Sequence, residues 1–115
     1  MEKPQFDLAT RCSSLGIGKI KRHIFLCAGE KCCSKEVGET TWEWLKERSR
    51  KGDFLENGLF RTKAACLRVC CEGPIVVVYP EGTWYKNVTP DVCERIVEEH
   101  LLKGNLVTEN LIFKK

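Results

Sequence analysis

No stretch of this 115-residue chain approaches the ~18 consecutive apolar residues of a membrane-spanning helix, because charged residues, 30% of the total, break every apolar run. The first twenty residues, MEKPQFDLATRCSSLGIGKI, carry Glu2, Asp7 and Arg11 where a secretory signal needs an apolar stretch of ~7–15 residues. A soluble, cytoplasmic protein with no membrane association is the expectation. Charge of one sign is also missing: 19 basic against 16 acidic residues leave a net +3. The Lys and Arg residues are scattered rather than gathered with aromatics, which argues against a nucleic-acid partner. No period of ~20–50 residues repeats, which excludes a solenoid. Glycine is too sparse for a nucleotide loop, since Gly16 and Gly18 in LGIGK follow no clear strand. Histidine occurs only as His23 and His100.

Cysteine is what the chain has in excess. Eight in 115 residues is about 7%, a density that invites a disulfide framework. A reducing compartment argues against that, and a chain of this length needs no staples to fold. The thiols therefore point to metal, cluster or redox chemistry. They fall into two groups, Cys27, Cys32, Cys33 and Cys66, Cys70, Cys71, while Cys12 and Cys93 stand apart.

The length suits one domain, divided as a partly ordered N-terminal leader over 1–21, a domain over 22–107 and a C-terminal tail over 108–115. His23 to Cys27 predicts a first strand ending on a cysteine, with a loop over Ala28-Gly29-Glu30-Lys31. Ser34 is the expected N-cap of an amphipathic helix from Lys35 to Arg50, its face marked by Val37, Thr41, Trp42, Trp44, Leu45 and Arg48. Trp42 and Trp44, two apart, cannot both face the core, which leaves one available for a contact surface, while ordinary packing is the favoured reading for either alone. Leu59 to Lys63 reads as a second strand, and Ala64 to Pro74 as a loop or one-turn segment carrying three cysteines. The unbroken apolar run Ile75 to Tyr79 predicts a strand buried on both faces. Pro80-Glu81-Gly82 is a hairpin turn into a fourth strand, Thr83 to Val88. Thr89 caps a last helix opening on Pro90 and closed by Gly104. The order β-α-β-β-β-α predicts an α/β protein of the thioredoxin-like fold, a mixed four-stranded sheet with flanking helices. The apolar residues of the tail are expected to pack on the domain or on a partner.

Cys27-x4-Cys32 and Cys66-x3-Cys70 supply two ligand pairs from two loops that open on the same end of neighbouring strands. Four thiolates on one rim suit a [2Fe–2S] rhombus, two sulfurs to each iron. Zinc accepts similar spacings, so the spacing leaves both metals open. The residues around the second pair go further. CLRVCCEGP from Cys66 to Pro74, then IVVVYPEGTWY from Ile75 to Tyr85, then VTPD from Val88 to Asp91, closely resemble the thioredoxin-like [2Fe–2S] ferredoxins. A related motif occurs in the small [2Fe–2S] subunit of respiratory NADH dehydrogenase. The resemblance spans His23 to about Val107.

It implies one [2Fe–2S] cluster per chain, one-electron carriage with no enzymatic turnover, a homodimer, and a redox partner protein that supplies or takes up the electron. It also implies a ligand set. Cys27 matches the first ligand, Cys66 and Cys70 the third and fourth, and Cys32 the second, with Cys33 as the alternative. Cys71 is then a non-ligand, Cys93 a core residue, and His23 and His100 structural. Lys31, Lys35, Lys63 and Arg68 flank the ligands, and charge reversal at Arg68 is expected to lower the midpoint potential. Two other classes compete. A thioredoxin-like thiol redox protein or sensor would use vicinal Cys32-Cys33 and Cys70-Cys71, but Cys-Cys-Ser-Lys does not supply the C-x-x-C that such chemistry needs. A structural zinc module would bind a protein partner.

Overall fold

The computed structural model describes residues 7–29, 33–69 and 71–115, so that Lys31, Cys32 and Cys70 lie outside the described residues. Its sheet has the order β2-β1-β3-β4-β5, built from β1 (Arg22–Cys27), β2 (Leu59–Ala64), β3 (Ile75–Tyr79), β4 (Thr83–Tyr85) and β5 (Leu111–Phe113). β1 and β2 run parallel, with Arg22 opposite Leu59 and Cys27 opposite Ala64; the other pairings are antiparallel. A parallel pair needs a crossover. Here it is α2 (Lys35–Ser49) followed by the short α3 (Gly52–Glu56).

The expected four strands are thus five. The additional strand comes from the segment read as a tail, where Leu111 pairs with Tyr85 and Phe113 with Trp84. Asn110 secures the approach: its carbonyl accepts from the Lys86 N–H and its side-chain amide donates to the Lys86 carbonyl. The sheet therefore continues past residue 107. Three residues are too few to show an alternating pattern, which is why this strand is invisible in the sequence. The segment read as a leader also carries structure, α1 (Leu8–Leu15), capped by Asp7, whose carboxylate accepts from the Thr10 N–H.

The longer helices start where their caps predict. Ser34 Oγ accepts from the Val37 N–H, and Thr89 Oγ1 from the Val92 N–H. α4 (Pro90–Arg95) passes into a wider π turn over Ile96–Leu101, and Gly104 closes it at φ 83 with its N–H on the His100 carbonyl. Strand alternation sends Ile24, Leu26, Val76, Val78 and Tyr85 to one face, where they meet Leu45 of α2 and Ile96, Val97 and Leu101. The other face carries His23 stacked on Phe25 at 4.1 Å, with Tyr79 edge-on to Phe25 at 6.2 Å. Ile75 to Val78 are all buried, as the apolar run predicts. Neither Trp42 nor Trp44 is exposed: both pack on the margin of the core, flanking buried Leu45, and Trp42 takes the Arg61 guanidinium over its ring at 5.2 Å.

Two polar networks tie the helices down. Arg48 of α2, 8% exposed, pairs with Asp53 of α3 at 2.9 Å and with Glu98 at 3.0 Å. His100 is buried, its Nδ1 2.8 Å from the Tyr85 hydroxyl, which also accepts from the Val107 N–H. Its Nε2 faces Glu81 Oε1 at 3.5 Å, and Glu81 Oε2 accepts from Arg22 Nε at 2.9 Å. Burial works to raise the Glu81 pKa, yet the hydrogen bond and charge of Arg22 hold it below the ordinary carboxylate value.

Candidate metal centre

Parallel pairing of β1 with β2 brings the cysteines together. Cys27 closes β1 and stands opposite Ala64, the last residue of β2, so the loops that follow both strands leave from one rim. β3 enters the sheet at the same rim, with Ile75 opposite Cys27. Cys27 is 2% exposed and packs with Ile75, Leu67, Trp84 and Cys33. Cys66, two residues past the end of β2, is exposed. One thiol is thus anchored at a buried strand end, the other offered at the surface.

The loops are held together closely. A Cβ on Gly29 would lie 2.6 Å from the Ala65 carbonyl oxygen, a distance no real side chain tolerates. Glycine at this position lets the segment after Cys27 run against the segment before Cys66. The second loop is curled by two non-glycine residues in the left-handed region, Arg68 at φ 75 and Glu72 at φ 54. The Arg68 backbone N–H donates to Cys66 Sγ at 3.2 Å. At Glu72 the carbonyl accepts from the Asn87 N–H and the carboxylate meets Lys86 at 3.3 Å, fixing the far end of the loop to the exit of β4.

Cys33 lies on the first loop, half-buried, with its N–H on the Gly29 carbonyl at 3.2 Å. Its sulfur lies 3.1 Å from where a Cβ on Gly38 would stand, so it is tucked against the first turn of α2. Cys71 is exposed and Cys12 half-buried on α1. Cys93 is fully buried, and burial pushes its thiol up to about 12, which makes it an inert core residue. Among the described residues no disulfide joins one cysteine to another. His23 pairs with Thr62 Oγ1 at 2.7 Å and His100 with Tyr85, so neither ring is directed at the cysteine rim. Lys35, Lys63 and Arg68 are exposed around it.

The donor set suits an iron–sulfur group: thiols from two adjoining loops, one of them already receiving a backbone N–H as a ligating thiolate requires. Spacing alone located the thiols. It did not reveal Gly29 as the clasp or Arg68 as the donor, because a single glycine and a left-handed arginine leave no local pattern.

No family model matches the chain. It is 41% identical over 98 residues to a 2Fe-2S ferredoxin of Clostridium pasteurianum, covering 76% of this chain and 91% of that one. A putative 2Fe-2S ferredoxin of Priestia megaterium is 36% identical over 94 residues, covering 82% and 72%. Among solved structures, a thioredoxin-like [2Fe-2S] ferredoxin from Aquifex aeolicus superposes with a TM-score of 0.74 at 29% identity, covering 83% of this chain and 93% of that one.

Proposed function

Because the chain belongs to the thioredoxin-like [2Fe–2S] ferredoxins, we propose that it carries single electrons on one [2Fe–2S] cluster held by Cys27, Cys32, Cys66 and Cys70. The observation that carries this reading is the register of β1 on β2, which opens both cysteine loops on one rim. When bound, the cluster supplies a site that accepts and releases one electron. The chain's own part is to hold thiolates in a fixed frame: Cys27 through the buried end of β1, Cys66 through the Arg68 N–H and the Gly29 contact. Exposure of Cys66 supports electron exchange at this rim with a redox partner protein. The inward packing of the Cys33 sulfur favours Cys32 as the second ligand.

Turnover of substrate belongs to the partner in this reading, which the placement of both histidines away from the rim supports. The cytoplasm is the proposed location, in keeping with the sequence reading; among the described residues no helix is long and apolar enough to cross a membrane.

Anaerobic preparation is expected to give a red-brown protein with two irons and two sulfides per chain and a paramagnetic signal on reduction. Serine at Cys27, Cys32, Cys66 or Cys70 is expected to lower cluster content strongly, and serine at Cys33 to leave it intact. A colourless zinc protein after reconstitution, or a pure thiol protein, would end the reading.

We further propose a homodimer. Tyr79, 45% exposed beside Phe25, and Phe113, 56% exposed on the edge strand, support an apolar contact between copies. Sedimentation is expected to show a dimer that Phe113→Glu or Tyr79→Glu weakens; a monomer at all concentrations would dismiss it.

A further inference from the structure

The rim that gathers the cysteines also gathers cations. Lys63 is the last residue but one of β2, Lys35 opens α2 directly after the first cysteine loop, and Arg68 lies two residues past Cys66 in the second. All three side chains are exposed, and none forms an ion pair with another described residue. Arg22, Arg48 and Arg95, by contrast, each meet a carboxylate. Acids that flank the ligands in sequence do not cancel the rim cations. Glu72 is engaged by Lys86, Glu30 and Lys31 offset each other, and Glu36 is the exposed carboxylate beside Lys35. The exposed Cys66 therefore has a positive surround, with Val69, 41% exposed, as an apolar contact close by.

Unpaired charges around a redox centre act on approach: they steer a body of opposite sign and fix which face it presents. We propose that this rim docks the redox partner through an acidic face, one that carries Asp and Glu around the partner's own redox centre. The inference rests on the reading of the chain as a [2Fe–2S] electron carrier. Reduction of the cluster adds one negative charge behind the rim and weakens its pull, so the oxidised carrier holds an acidic face more firmly than the reduced one. By linkage, such a face lowers the reduction potential when it binds.

Charged probes test this without the partner. The reduced, cluster-loaded protein gives one electron to cobalt(III), which becomes cobalt(II), offered either as the anionic EDTA complex or as the hexaammine cation. The ratio of the two rates reports the sign of the rim and removes changes in driving force. Added salt is expected to slow the anion reaction. Lys63→Glu with Arg68→Glu is expected to lower the anion-to-cation ratio at low salt by at least about tenfold; Lys63→Glu alone, which lowers it in the same direction, serves if the double variant holds little iron. Lys19→Glu with Lys21→Glu makes the same change of net charge before the opposite end of β1, at exposed positions, and is expected to leave the ratio unchanged. Poly-L-glutamate is expected to lower the midpoint potential of the wild type and to leave that of the Lys63→Glu, Arg68→Glu protein in place. An unchanged ratio in the rim variants, an equal fall in the Lys19→Glu, Lys21→Glu control, or a wild-type potential that poly-L-glutamate does not move would overturn the proposal. Failure of the underlying reading looks different: no loaded protein that bleaches on reduction is obtained, and both readings end together.

Discussion

Alanine at Gly29 is expected to cost the protein stability and iron together. The added methyl would stand 2.6 Å from the carbonyl oxygen of Ala65. That oxygen belongs to the backbone, so no rotamer change relieves the overlap, and the two loops must separate. Overpacking of this kind costs about 1–3 kcal/mol. Here the strain falls between Cys27 and Cys66, so the geometry of the donor set is lost with it. Gly18→Ala is the matched control, because a Cβ there meets nothing within 4 Å. Urea unfolding and iron counting on the two variants check the expectation. Equal midpoints and equal iron for Gly29→Ala and the wild type would show that the loops do not depend on this contact.

A second large effect is expected from Tyr85→Phe, far from the cysteines. The Tyr85 hydroxyl is the common partner of His100 Nδ1 and the Val107 N–H, and all three residues are buried. Removing it leaves two buried polar groups unpaired, at about 1–3 kcal/mol each. A loss of about 2–6 kcal/mol follows by the same bookkeeping, with little change in the spectrum of the loaded protein. A loss below about 1 kcal/mol, the worth of one ordinary hydrogen bond, would mean that water replaces the hydroxyl.

The same site carries a pH dependence. Burial holds the His100 pKa below its ordinary value, with the Glu81 charge pulling it up and the Arg22 charge pulling it down. A histidine depressed in the folded state takes its proton later than in the unfolded chain. Stability is therefore full above about pH 6.5 and is lost as pH falls below it, because the unfolded state gains the proton first. His23, also lowered by burial, adds a contribution of the same sign. His100→Gln is expected to be less sensitive than the wild type between about pH 7 and 5, read as the change in urea midpoint. An equal slope in both proteins would remove His100 from the account.

Local signals carried much of the fold. Ser34 and Thr89-Pro90 mark helix starts because capping is a property of a few adjacent residues. Ile75 to Tyr79 reads as an inner strand because the need to bury both faces removes polar residues from the run. α1, α3 and β5 escaped, since each is short and lacks the unbroken apolar run or flanking turn that marks the short inner strands. Trp42 and Trp44 both pack, the favoured reading for either alone, although their two-residue spacing sets one of them off the core. A helix with a broad apolar face seats both flanks on the core margin, and the Arg61 guanidinium completes the cover of Trp42.

The candidate site divides along the same line. The residue string sets the number of thiols, their spacing in two groups and the motif that marks the ferredoxin family, since these are properties of the chain in one dimension. Which sulfurs share a rim depends on the pairing of Cys27 with Ala64, a contact between strands separated by two helices. The approach of Gly29 to Ala65 follows from that pairing, whereas the inward turn of Cys33 against Gly38 and the Arg68 N–H on Cys66 are set by the local course of each loop. The first is a distance between segments remote in sequence and the other two are loop conformations that no residue pattern dictates, so packing selects them.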